Sequence, residues 1–130
     1  MTRRALLALG VSVFALACGR HLTFEHLARA DRLEVRRRNT ILFASEDRDT
    51  ISKARTFILA RSDGWDKDWA GTPIPVFTVY FLSAGQVLGG YGVGPDFLTT
   101  DPGPGFLSRS IRGTEAAEIA SVLGVSLERR

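Results

Sequence analysis

Cysteine is nearly absent from this chain, with Cys18 alone among 130 residues. No internal disulfide can brace the fold, so its core must hold by apolar burial. Histidine is almost as scarce, with only His21 and His26. Their five-residue separation suits a shared helical face poorly, and no second thiol is there to complete a zinc site. A G-x-S-x-G nucleophile motif is missing as well, which leaves a serine–histidine–aspartate apparatus unsupported. Strong charge of either sign is also lacking: the net charge is +3, and Arg3 and Arg4 are part of it. So small a figure gives no support to a nucleic-acid partner. The uncharged run 5–17 would rise only about 20 Å as a helix, against roughly 30 Å of bilayer hydrocarbon, so a lasting membrane span is not expected.

What the chain does have starts with that run. "MTRR" sets two positive charges before "ALLALGVSVFALA", and small residues flank Leu16 just ahead of Cys18. This is the order of an export signal: basic region, apolar region, small-residue cleavage site. Because the cleavage point coincides with the cysteine, residues 1–19 resemble the lipobox signal of bacterial lipoproteins. The resemblance implies a diacylglyceryl group on the Cys18 sulfur, cleavage before it and acylation, palmitate-like, of the new N-terminus. Residues 1–17 would be the signal peptide, 18–21 the lipidated cysteine and a short tether, and 22–130 a single exported domain. Each buried methylene adds about 0.8 kcal/mol, so two or three acyl chains hold a small domain at a membrane almost permanently. Gly19 follows the cysteine where aspartate would signal retention, which implies the outer membrane if the cell is Gram-negative. The expected location is the cell envelope, facing the periplasm. Arg3-Arg4 also loosely resembles a twin-arginine export signal, which leaves the export route open.

Without residues 1–17 the chain keeps 15 basic and 14 acidic side chains, a net of +1. Residues 18–44 carry +3 of this and the remainder −2. The basic end is the tethered end. Arg20, Arg29, Arg32, Arg36, Arg37 and Arg38 are therefore candidates for contact with anionic head groups, the alternative being charge that protects a strand edge.

The exported part reads as one α+β domain: a mainly antiparallel sheet of about five or six strands with two amphipathic helices on one face, in the order α-ββα-βββ(β)-α. A short helix is expected over Leu22–Ala30 with Thr23 as its cap. Arg32–Arg36 and Ile41–Ala44 form a hairpin by their alternation. Asp47 or Asp49 caps a helix that buries Ile51, Ala54, Phe57 and Ile58 and ends at Asp63-Gly64. Val76–Leu82 is apolar on both faces, as in a central strand. Val87–Gly94, Phe97–Thr100 and Phe106–Ser108 are further strands, and Thr114 caps a last helix ended by Gly124. The two ββα-like halves hint at duplication, without a residue-level repeat. In make-up this domain is similar to small bacterial lipoproteins, but no motif in it names a family.

"GGYGVGPDF" has no lysine and runs into Pro95, unlike a phosphate loop. In a strand, Gly90, Gly92 and Gly94 would share one face and let an aromatic ring or backbone approach closely. Asp63, Asp66 and Asp68 do not follow the order of a calcium loop. Glu115 and Glu118 are explained by a helix dipole better than as an acid–base pair. Candidate partner-binding residues are Trp65 and Trp69, in a loop between Gly64 and Pro73, together with Tyr91. The expected function is that of a lipid-anchored envelope protein acting as a non-enzymatic binding or inhibitory module. It would need no cofactor or metal, and its partners would be the membrane, through Cys18, and a protein or cell-wall component. The alternative is a small cell-wall-directed hydrolase.

Overall fold

The structure, a computed structural model, describes residues 20–67, 73–101 and 107–128. It is an α+β fold. Seven strands run as β1 (Arg32–Arg37), β2 (Thr40–Ser45), β3 (Asp66–Lys67), β4 (Phe77–Ser83), β5 (Gln86–Val93), β6 (Phe97–Asp101) and β7 (Leu107–Ser110). Two α-helices, α1 (Arg48–Leu59) and α2 (Gly113–Leu123), and a 3-10 helix (Glu25–Arg29) complete it. The strand order is β2-β1-β4-β5-β6-β7-β3, and every pair is antiparallel.

Alternation along the strands decides what each sheet face carries. One row across the sheet is Val35–Val79–Tyr91–Thr100, beside Phe77–Val93–Leu98. Apart from Thr100, these side chains join Ile51, Ala54, Phe57 and Ile58 of α1 and Ala116, Ile119, Ala120 and Leu123 of α2 in one core. The helical stripes therefore bury the residues that their 3.6-residue spacing marks. The other row is Arg36–Thr78–Gly92–Thr99–Ser108–Asp66. It is more polar than the helix-covered face, as is common in an antiparallel sheet packed on one side, although its middle, at Gly92 and Thr99, is buried.

Several boundaries differ from the sequence expectation for local reasons. The sheet has seven strands because β3, only two charged residues long, pairs with β7. The first helix is a 3-10 helix that starts after Phe24, and no side chain caps it, Thr23 included. Asp47 caps α1 through the Thr50 N–H, but the helix stops at Leu59. Gly64 is instead a separate bend, at φ +82°, that leads into β3. At α2 the N-cap is Arg112 rather than Thr114. Glu115 turns back to accept the Arg112 N–H at 3.1 Å, the acidic half of a capping box. Gly124, at φ +66°, ends the helix as expected. The Gly124 N–H donates to Ser121 and the Val125 N–H to Ala120, a Schellman closure.

The glycines of β5 answer to their packing. A Cβ on Gly92 would lie 2.8 Å from Pro75 and would strike the Thr99 hydroxyl, and one on Gly94 would enter the Phe97 ring. Pro75 thus covers the middle of the polar sheet face. Strand propensity favours valine over glycine at such a site, whereas steric overlap predicts the reverse. Gly92→Val is expected to destabilise the domain by about 1–3 kcal/mol in urea unfolding, and a stabilised variant would refute the Pro75 contact.

Candidate functional site

The first described residues meet the rest of the domain at a hydrogen-bonded junction. The Arg20 N–H donates to the Trp65 carbonyl at 2.9 Å, and the Trp65 N–H returns to the Arg20 carbonyl at 3.3 Å. Two residues later, the Leu22 N–H donates to the Ser62 carbonyl at 2.8 Å. The chain is thus in register with the sheet edge from its twentieth residue. Only Gly19 lies between that residue and Cys18, which itself falls outside the described residues.

Trp65 holds this junction from inside. Its side chain is fully buried, its indole Nε1–H donates to the Arg61 carbonyl at 2.7 Å, and its ring lies 6.1 Å from that of Phe24. Trp65 is therefore not a partner-binding residue: with its ring in the core and its one donor used, it presents nothing to a partner. Tyr91 is corrected in the same way. It is fully buried, its hydroxyl donates to the Ala54 carbonyl at 2.9 Å, and its ring stacks on Phe57 at 6.0 Å. Burial pushes the phenol far above its ordinary range, with Arg61 a smaller opposing influence. Trp69 and Asp68 lie outside the described residues.

The remaining candidates do not converge. His21 Nδ1 sits 2.7 Å from Asp63 Oδ1 with both side chains mostly exposed, while His26 lies in the 3-10 helix against Gly89. An exposed pair in open solvent has no water-excluded space in which to act as a base. Among the described residues, no three His, Cys, Asp or Glu side chains come together to hold a metal. Glu115 is committed to α2 and to Arg61, whose Nε lies 2.8 Å from its Oε2. Glu118 is exposed on α2 and lines a groove between the helices.

An ion cluster on the polar sheet face was not anticipated. Glu34 is nearly buried between Arg32 and Arg36, whose Nε atoms both lie 3.1 Å from its oxygens. Arg36 also lies over the Tyr80 ring, 4.8 Å from its centre. The Arg36 and Arg32 hydrogen bonds hold the Glu34 carboxyl below its ordinary range. The alternation of "RLEVR" already puts these three residues on one face, and that was the signal available in the sequence. The cluster also corrects the placement of the basic segment. Arg36, Arg37 and Arg38 are near Cys18 in sequence, yet β1 lies five strand spacings from β3, about 24 Å across the sheet. Arg37 is used internally, donating to the carbonyls of Val76 and Ser126.

Compared with protein-family models, curated proteins and solved structures, the chain matches none.

Two measurements check this geometry. Trp65→Ala removes the ring that closes the junction and is expected to cost about 3–5 kcal/mol of stability; an unchanged urea midpoint would place the ring on the surface. Glu115 titrates at about 2, held there first by the Arg112 N–H and then by Arg61, against an ordinary 4.5. The unfolded chain therefore takes up the proton at higher pH than the folded one. The contribution of Glu115 is complete above pH 4.5 and fades as pH falls towards 2, with Glu34 acting in the same direction. Glu115→Gln should lower stability at pH 7 and flatten the acid limb of the stability profile, as followed by thermal melts between pH 2 and 7.

Proposed function

We propose that this is a lipid-anchored envelope protein, held at the membrane through Cys18 and acting as a non-enzymatic binding module. The observation that carries the reading is the junction at Arg20. A long flexible linker would let the domain roam, but here backbone pairing with Trp65 begins two residues after the lipobox-like cysteine. Two residues span about 7 Å at most, so lipid chains on Cys18 would hold the β3 edge against the head groups. The domain would then stand at the surface in a restricted set of orientations. Such an arrangement suits presentation of a fixed surface to a partner.

The dispersal of His21, His26 and the carboxylates favours binding over hydrolysis, since no described pair has the enclosed geometry that general acid–base chemistry uses. The polar sheet face and the grooves at its ends are the surfaces left free by an anchor at the β3 edge.

Cys18→Ser tests the anchor. The acyl chains supply nearly all of the membrane affinity in this reading, so the variant should leave the precursor uncut or release a soluble product. Mass spectrometry that found an unmodified Cys18 in membrane-bound mature protein would overturn it.

A further inference from the structure

A groove of about 870 Å³ opens between the start of α1, the entry to β1 and the β4–β5 turn. Its walls carry three arginines, Arg32, Arg48 and Arg55, and two carboxylates, Asp31 and Glu46. The carboxylates are both engaged. Asp31 Oδ2 accepts the Ala84 N–H at 3.1 Å, fixing the β4–β5 turn, and Glu46 lies 3.7 Å from Arg32. Arg32 is held a second time by Glu34. Arg48 and Arg55 are different: neither makes a side-chain hydrogen bond or ion pair with any described residue. They stand seven residues apart on α1, two turns and about 10 Å along one helix face, and both line the same concavity.

Arg48 is also badly placed for the helix. It occupies the first turn of α1, where the aligned peptide dipoles disfavour positive charge. Asp49, in the same turn, is paired instead with Lys53 at 3.0 Å. A guanidinium that costs helix stability, lacks an internal partner and lines a groove with a second such group is arranged for an external anion. Arginine presents a planar fork that matches phosphate oxygens in pairs. Ser52, between the two arginines in the same wall, adds a hydroxyl donor.

We propose that this groove binds a phosphate-type anion, with Arg48 and Arg55 as its principal ligands and Arg32 holding the opposite wall. The inference rests on the reading of the chain as a binding module and supplies that module with a ligand class. The phosphate group has two sources: an anionic lipid head group, or a freely diffusing phosphate ester.

The test uses the full chain purified in detergent, titrated with pyrophosphate by calorimetry. Saturable binding to one site is expected, with Arg48→Gln and Arg55→Gln each weakening it by about tenfold or more, the loss typical of one charge-assisted contact. Lys53→Gln, outside the groove, should leave the affinity unchanged. A second readout needs no ligand: Arg48→Gln should melt at the same temperature as the parent or higher, because it relieves the helix end. Absence of saturable binding, an equal loss with Lys53→Gln, or a lower melting temperature for Arg48→Gln would each overturn the proposal. Repeating the titration in nanodiscs separates the sources. Weaker pyrophosphate binding in phosphatidylglycerol than in phosphatidylcholine identifies head groups as competitors for the groove, and equal binding identifies a soluble ester. Failure of the anchor would show in the mass of Cys18 and failure of the groove in the detergent titration, so the two readings fall separately.

Discussion

Arg61 joins the parts of this domain that would otherwise separate. It follows the C-terminus of α1, where positive charge suits the exposed carbonyls, and its Nη1 donates back to the Phe57 carbonyl at 2.7 Å. Its Nε reaches Glu115 at the start of α2, so one guanidinium closes one helix and clamps the next. Its flat face lies 3.7 Å from the centre of the Phe57 ring, which itself stacks on Tyr91 of the sheet. Its carbonyl takes the indole N–H of Trp65, the residue that pairs with Arg20. Helix contact, sheet contact and the Arg20 junction thus share one side chain and its peptide. The pair with Glu115 is largely sheltered from solvent, which distinguishes it from exposed pairs such as Lys53–Asp49, worth little in water.

How much of this was legible depended on the range of the forces involved. The stripes of α1 and α2 and the central strand Phe77–Ser83 are periodic or local features, and a single sequence carries them. The β5 glycines also read correctly, because removal of side chains from one face has few meanings other than close approach. What escaped was set by distant partners. Nothing in Asp66-Lys67 marks a strand until Leu107 and Ser108 lie opposite. Arg112 became an N-cap because Glu115 supplies the capping oxygen, although Thr114 has the better side chain for the task. The burial of Trp65 depends on Arg61, Arg20 and Phe24, none of which a local reading joins to it. Tyr91 faces the core by parity with Val79 and Val93, a signal present in the sequence that its reading as a partner-binding residue passed over.

The charge distribution shows why sequence distance is a poor guide to function in an antiparallel sheet. From Arg20 to Arg38 the chain is basic, and a linear reading keeps that charge beside the tether. The fold sends β1 to the far side of β4, β5, β6 and β7, so the guanidiniums of Arg32 and Arg36 meet Glu34 and Tyr80 instead. A carboxylate between two arginines on an exposed face also keeps that face polar and specific, which discourages non-specific association. Arg48 and Arg55, which line the groove without a side-chain partner among the described residues, are on α1, a segment that the linear charge count places outside the basic end.

The proposed attachment at an edge strand would have a geometric consequence for the proposed binding module. An anchor fixed near β3 would leave β2 at the opposite rim, six strand spacings or about 29 Å away, and both sheet faces clear of the tether. The groove beside Arg48 lies near that opposite rim, against the ends of β1 and β2. Under the proposed anchoring it therefore faces ligands that approach from the compartment or along the membrane plane, and is not blocked by the acyl attachment itself.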